Sequence, residues 1–180
     1  MITAAAAIAQ KAAKKPQTMT VKAGDAVPDV KLDELVGGEI KQRSLKELFA
    51  GKKGILFGVP GAFTPGCSKT HLPGYVADAE KLKAAGAEVV VCVAVNDAFA
   101  MDAWGQANNT EGKVVMLADA RAELTKALGI ELDAPAVLGN TRCRRFSAVI
   151  EDGKFKTVNL EQGGELTCSL SNVIVDQLKQ

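Results

Sequence analysis

Apolar positions along the chain gather into short, nearly unbroken runs separated by Gly, Pro and Asn/Asp turns. Gly54-Ile55-Leu56-Phe57-Gly58-Val59 and Glu88-Val89-Val90-Val91-Cys92-Val93-Ala94-Val95 show no alternation of apolar and polar residues. Strands of a sheet covered on both faces read this way. Lys113 to Leu117 form a third, shorter run. Between the runs the period lengthens to that of helices. One helix is predicted from Cys67 through Leu82 to Ala85, kinked by Pro73 and ended by Gly86. A second follows Asn96 and Asp97, which cap it, and passes through Trp104 and Ala107. A third spans Arg121 to Leu128 and stops at Gly129.

Both ends of the chain read as antiparallel pairs. Val30-Lys31-Leu32 with the turn Gly37-Gly38-Glu39 predicts an N-terminal hairpin, followed by a turn capped by Ser44 with Glu47 three residues on. Arg145 to Ile150 and Phe155 to Leu160 flank Glu151-Asp152-Gly153-Lys154, a hairpin with an Asp-Gly turn, and Leu170 to Leu178 form a last helix. After the N-terminal hairpin the order is β-α-β-α-β-α-β-β-α. It predicts an α/β fold in which helices flank a central mixed sheet. No internal repeat or second domain is visible, and 180 residues suffice for one substantial core.

Residues 1–20 stand apart as a leader or disordered extension, with residues 21–180 as the domain. The stretch from Met1 to Lys22 is Ala-rich, carries Lys11, Lys14, Lys15 and Lys22, and has no acid before Asp25. A mitochondrial leader has such a composition, although the lack of Arg counts against one, and Met19 offers an alternative start. The C-terminal Asp176-Gln177-Leu178-Lys179-Gln180 does not match a peroxisomal tripeptide. The expected setting is intracellular, mitochondrial or cytoplasmic rather than peroxisomal.

Charge removes some classes of partner. With 22 basic and 21 acidic residues, nothing invites nucleic acid or an anionic membrane surface, and no run of eighteen apolar residues suggests a span. The four cysteines, Cys67, Cys92, Cys143 and Cys168, are separated by 25, 51 and 25 residues. That spacing matches no zinc site, so no metal is expected, and it is too sparse for a secreted disulfide scaffold.

One cysteine is placed for chemistry. Cys67 follows a buried strand and the turn Pro60-Gly61-Ala62-Phe63-Thr64-Pro65-Gly66, where a helix begins. Unpaired N–H groups and the helix dipole favour negative charge there, and the thiolate is the nucleophilic form. The alternative is a small buried hydrophobe. Thr64 fits an N-cap and equally a donor to the sulfur or to a substrate oxygen. His71, four residues after Cys67, shares its face. It is open to a Cys-His pair, to metal ligation, or to a packed or capping role. Cys67-Ser68-Lys69-Thr70 lacks the second Cys of a Cys-x-x-Cys dithiol, so a disulfide partner must come from elsewhere.

The segment from Gly58 to Ser68 resembles the active-site block of the peroxiredoxins, in detail that of the animal peroxiredoxin 5 group. The likeness continues through Lys69 to Gly74, Val95 to Phe99, Glu111 to Val114, Arg145-Phe146-Ser147 and Leu166 to Leu170. The resemblance implies a thioredoxin-like fold and a thiol peroxidase without cofactor. It implies that Cys67 is the peroxidatic Cys, Thr64 the active-site Thr and Arg145 the residue holding sulfur and peroxide. Pro60 would shield the thiolate, and Gly66 would offer a backbone N–H beside the substrate oxygen. Cys168, 101 residues after Cys67, matches the resolving Cys of an atypical two-Cys mechanism with an intramolecular disulfide.

Hydrogen peroxide, alkyl hydroperoxides and peroxynitrite are the substrates so implied, and thioredoxin the reductant. A monomer or weak homodimer is expected. Neither the Gly-Gly-Leu-Gly segment nor the Tyr-Phe tail of the over-oxidation-sensitive members occurs, so resistance to sulfinic acid formation is expected. Cys92 reads as inert core. Cys143, two positions from Arg145, would share its face on a regular strand and so lie near the site as a secondary thiol. Two rival classes are a thiol–disulfide oxidoreductase on the same fold and a non-enzymatic redox relay through Cys67.

Overall fold

The computed structural model describes residues 20–180, so most of the leader reading, residues 1–19, lies outside the described residues. The chain is tied into the fold from its first described residues. Val21 N–H donates to the Leu128 carbonyl at 2.9 Å, and Val27 N–H to the Gly153 carbonyl at 2.8 Å.

Among the described residues seven strands form the main sheet, in the order β2-β1-β5-β4-β3-β8-β9. The hairpin β1 (Lys31–Val36) and β2 (Glu39–Ser44) lies at one edge and joins the sheet through the pairing of Asp33 with Ala118. Ser44 ends β2 and caps α1 (Leu45–Leu48), accepting the Glu47 N–H at 3.2 Å. The centre is parallel, with β3 (Lys53–Gly58) beside β4 (Val89–Ala94) and β4 beside β5 (Val115–Ala118). The hairpin β8 (Phe146–Glu151) and β9 (Lys154–Leu160) closes the other edge antiparallel to β3. Its turn residues Asp152 and Gly153 both take positive φ, 46° and 70°, as the Asp-Gly signal requires.

Alternation along the central strands makes two cores. Leu56, Val91, Val93, Phe146, Ala148 and Ile150 face one; Ile55, Phe57, Val90, Cys92 and Val149 face the other, with Cys67, Tyr75 and Trp104. The unbroken apolar runs thus mark strands covered on both sides. Each fully buried Val or Leu contributes roughly 1.5–3 kcal/mol. The second core lies under the helices α2 (Leu72–Ala77), α3 (Ala79–Ala84), α4 (Ala98–Ala107) and α7 (Ser171–Leu178). Among the described residues no helix is long and apolar enough to cross a membrane.

Two readings change. The helix expected from Cys67 to Ala85 is divided: a π turn over Cys67–His71 precedes α2, and α3 begins anew after Asp78. After α5 (Glu123–Ala127) the chain forms a small separate sheet from β6 (Glu131–Ala134) and β7 (Asn140–Cys143), with α6 (Pro135–Leu138) between them. These short, exposed elements carry little periodicity, and the pattern did not reveal them.

Candidate active site

Beyond β3 the chain remains paired to β4 for one residue, Val59 N–H donating to the Val93 carbonyl at 3.1 Å, and then turns at Pro60. The turn is held from several directions. Ala62 N–H donates to Asn96 Oδ1 at 3.0 Å, and the Thr64 hydroxyl to the Gly61 carbonyl at 2.9 Å. Arg142 fastens it to its neighbours. Its Nη1 donates to the Val95 carbonyl at 3.0 Å, to Asn96 Oδ1 at 3.3 Å and to the Pro60 carbonyl at 3.5 Å, while Nη2 donates to the Leu138 carbonyl at 3.0 Å. Phe63 within the turn has a φ of 60°, a left-handed conformation that a bulky residue takes only where its surroundings impose it.

Pro65 and Gly66 are already helical, which puts Cys67 in the first turn. The turn then widens, and Leu72 N–H reaches the Cys67 carbonyl five residues back. Pro73 accounts for this. It has no N–H for the Lys69 carbonyl, and its ring would crowd that carbonyl in a regular α-helix. Trp104 Nε1–H pins the turn to α4 by donating to Ser68 Oγ at 3.0 Å.

Cys67 is fully buried, and its sulfur accepts a hydrogen bond from Arg145 Nη1 at 3.5 Å. Arg145 is buried as well, and its Nε–H has no partner among the described residues. It reaches the sulfur because the chain passes from the small sheet to the main one between Cys143 and Phe146. The same crossing removes the shared strand face on which Cys143 was expected to lie beside Arg145. No regular strand joins residues 143 and 145, and Cys143 packs in a different core from Cys67. Its sulfur contacts the Arg144 carbonyl at 3.0 Å, and burial pushes the thiol up to about 12. Cys92 is buried within β4, where burial first, and then Cys67 and Cys143, raise its pKa well above the usual thiol value.

Gly66 leaves room for the guanidinium. A Cβ there would stand 3.2 Å from Arg145 Nη2 and 3.6 Å from Leu166 Cδ1. Thr64 is placed beside the helix start, but its single O–H is given to Gly61 rather than to the sulfur, and it does not act as a side-chain cap. Pro60 is half-buried at the mouth of the turn.

His71 sits one turn beyond Cys67. Its Nδ1 lies 3.3 Å from Arg145 Nη1 and its Nε2 2.9 Å from the Ser169 carbonyl. Of the roles left open by the spacing Cys67-x-x-x-His71, the structure shows the packed one: the ring faces the arginine that faces the sulfur. Tyr75 also donates to the Ser169 carbonyl, at 2.7 Å.

Ser169 follows Cys168, which is half-buried, so the loop bearing the second thiol lies against this network. Glu161 holds that loop. Its carboxylate accepts the N–H groups of Thr167, Cys168 and Ser169 at 2.7, 2.9 and 3.0 Å and the hydroxyls of Thr167 and Ser169 at 2.7 and 2.8 Å. Burial alone would raise its pKa, but these hydrogen bonds bring it down to about 2. Burial and the neighbouring Glu161 charge raise the Cys168 thiol. All four cysteines are unpaired. The family resemblance had marked Cys168 and not Glu161. The acceptor role of Glu161 is visible only once Thr167, Cys168 and Ser169 are seen to surround it.

The sequence and fold are similar to those of known proteins. Residues 22–173 match the family model described as Redoxin. The chain is 43% identical over 170 residues to the chloroplastic peroxiredoxin-2E of Arabidopsis thaliana, covering 92% of this chain and 72% of the relative. Among solved structures, reduced Prx3 from Vibrio vulnificus in complex with H2O2 superposes with a TM-score of 0.85 at 43% identity, covering 88% of this chain and 99% of that one. Peroxiredoxin 5 from Alvinella pompejana superposes with a TM-score of 0.78 at 39% identity, over 88% and 98%. The likeness is therefore as great to plant and bacterial relatives as to an animal one.

Proposed function

The chain belongs to the redoxin family, as a thiol peroxidase with the thioredoxin-like fold of the peroxiredoxins, and on that premise we propose that Cys67 is its peroxidatic thiol and Cys168 its resolving thiol. The observation that carries the reading is the buried sulfur of Cys67 under the Arg145 guanidinium at 3.5 Å. A cation held against the sulfur stabilises negative charge on it and on the oxygen that leaves. The unpaired Nε–H of Arg145 supports a substrate with acceptor oxygens, since a buried donor left unmade is costly.

The thiolate of Cys67 attacks the terminal oxygen of a hydroperoxide. The S–O bond forms as the O–O bond breaks, the alkoxide or hydroxide takes a proton to leave as alcohol or water, and Cys67 becomes a sulfenic acid. Arg145 and the N–H groups at the helix start, Gly66 included, receive the charge that develops. Rotation of the Thr64 hydroxyl away from Gly61 would give the peroxide a further donor, and Pro60 limits water at the mouth. The Cys168 thiol then displaces water from the sulfenic acid, forming the 67–168 disulfide. A dithiol, thioredoxin by family likeness, reduces the bond by exchange. Because Cys67 is fully buried and Cys168 half-buried, closing the bond requires one of the two segments to open. The π turn at Cys67, already loosened by Pro73, is suited to this, and the Cys168 loop parts from its docked position as the bond closes.

This reading follows the atypical two-Cys chemistry of the animal peroxiredoxin 5 group in a monomer or weak dimer. The substrates proposed are hydrogen peroxide, alkyl hydroperoxides and peroxynitrite, and the setting proposed is mitochondrial or cytoplasmic. Peroxide-dependent NADPH oxidation with thioredoxin and its reductase tests the assignment. Cys67→Ser is expected to abolish turnover, and Cys168→Ser to abolish the thioredoxin-supported part while leaving one oxidation per chain. Full activity in Cys67→Ser would overturn the reading.

A further inference from the structure

His71 is the one histidine of the chain, and the peroxide reaction as written gives it no role. Its neighbours leave it a single tautomer. Nε2 faces a carbonyl oxygen, which only accepts, and Nδ1 faces a guanidinium N–H, which only donates. The proton is on Nε2 and the lone pair on Nδ1. The ring plane is fixed too, edge-on to Phe57 at 5.3 Å and to Tyr75 at 5.5 Å, with those two rings stacked on each other at 3.9 Å. The charged groups facing the ring are Arg145 and Glu161. Burial first, helped by Arg145, brings the pKa of His71 down to about 4 against the opposing pull of Ser169 and Glu161, so the ring stays neutral at physiological pH.

We propose that His71 is a positioning residue that aims Arg145 at the Cys67 sulfur and makes that aim depend on the docked state of the Cys168 loop. The inference rests on Cys67 being the peroxidatic thiol. Arg145 Nη1 carries two N–H bonds and meets Cys67 Sγ at 3.5 Å and His71 Nδ1 at 3.3 Å, so the imidazole lone pair, by holding one, fixes the direction of the other toward the sulfur. The imidazole is in turn held through Nε2 by the residue following Cys168. While the loop is docked, the anion site at the sulfur is organised. When the loop departs to close the 67–168 disulfide, Ser169 leaves Nε2, the ring loses its anchor and Arg145 loses its fixed acceptor. The site is then set for the first peroxide and dismantled once Cys67 has reacted.

Two substitutions separate the two ends of the link. His71→Gln can keep a donor near Nε2 but has no acceptor near Nδ1; His71→Asn does the reverse. The rate of Cys67 oxidation, read by intrinsic fluorescence in single turnover, is expected to fall about tenfold to hundredfold in His71→Gln, the loss of one hydrogen bond to a charged group. His71→Asn should lose less, and should instead speed amide hydrogen exchange at residues 167–169. Equal rates in wild type and His71→Gln would overturn the proposal.

Should the variants fail to fold, 15N-histidine NMR on the wild-type chain decides it, because the label reports one residue. The reduced protein should show a neutral ring protonated on Nε2, and the disulfide form a changed and more readily titrated one. An Nδ1-protonated ring, or identical signals in both forms, would overturn it. Loss of peroxide activity in Cys67→Ser alongside either result would leave the assignment of Cys67 standing and remove only the role of His71.

Discussion

Glu161 Oε1 accepts the backbone N–H of Cys168 at 2.9 Å, so the second thiol is held by a carboxylate seven residues before it. The same carboxylate carries four further hydrogen bonds from Thr167 and Ser169 and is 2% exposed. It works as a clasp on the Cys168 backbone, and burial together with its charge disfavours the Cys168 thiolate.

Replacing Glu161 by Gln puts an amide NH2 where donors already converge. Disulfide closure after oxidation is expected to speed up severalfold, measured by stopped-flow fluorescence, while thermal stability falls. The pH dependence follows from the sign of the shift. The pKa of Glu161 is lowered from 4.5 to about 2, so its stabilisation is complete above the unfolded value and is lost as pH falls through that interval. It is worth on the order of 3 kcal/mol. The stability gap between wild type and Glu161→Gln should therefore be full at neutral pH and narrow below about pH 4.5. A gap independent of pH would exclude the clasp.

Cys143 offers a second test. It packs in a different core from Cys67, its sulfur near Gly58. Disulfide mapping after one equivalent of peroxide should find the 67–168 bond and no bond to Cys143. Cys143→Ala should retain peroxidase activity and lose about 1 kcal/mol of stability to the cavity left behind. A peroxide-induced bond to Cys143 would restore it to the site.

The contrast between Cys143 and Arg145 shows what the sequence could and could not disclose. The buried parallel strands, the Ser44 and Asp97 caps and the Asp152-Gly153 turn are local signals, and each element formed where its residues indicated. The place of Cys67 at a helix start was legible for the same reason, because Pro65 and Gly66 mark that start in its immediate neighbourhood. Arg145 was reached only through family likeness, since the sulfur it contacts lies 78 residues away in sequence. Strand periodicity misplaced Cys143 because it assumes one continuous strand where the chain changes sheets. Glu161 and Arg142 gave no signal at all. Their partners are mostly backbone carbonyls and N–H groups, which any residue supplies.

Arg142 is the brace of the Pro60 turn, and its geometry predicts what a lysine there would lose. The guanidinium donates at once to the Val95, Pro60 and Leu138 carbonyls and to Asn96 Oδ1, and its Nε donates to Asn140 Oδ1 at 2.6 Å. A lysine ammonium keeps the charge but cannot span those directions. Arg142→Lys should therefore slow Cys67 oxidation by about tenfold through loosening of residues 60–64, while far-UV circular dichroism stays unchanged. Retention of the full oxidation rate would show that the turn holds itself.

Gly66 allows stability and chemistry to be moved in opposite directions by one methyl group. Its φ of −66° and ψ of −36° are ordinary helical values, so alanine is not strained there, and alanine favours a helix over glycine by about 1 kcal/mol. The added Cβ would nevertheless stand 3.2 Å from Arg145 Nη2, closer than most such contacts, and the guanidinium is the neighbour that must give way. Displacing it by a few tenths of an ångström weakens its hold on both the Cys67 sulfur and His71 Nδ1. Gly66→Ala is thus expected to match or exceed wild type in thermal stability and to oxidise more slowly, by roughly three- to tenfold in single turnover. If the oxidation rate is unchanged while stability rises, the position of Arg145 does not limit the reaction. If stability falls instead, the guanidinium cannot move, and the lost contacts lie in the packing of Leu166 and the Cys168 loop against the helix start.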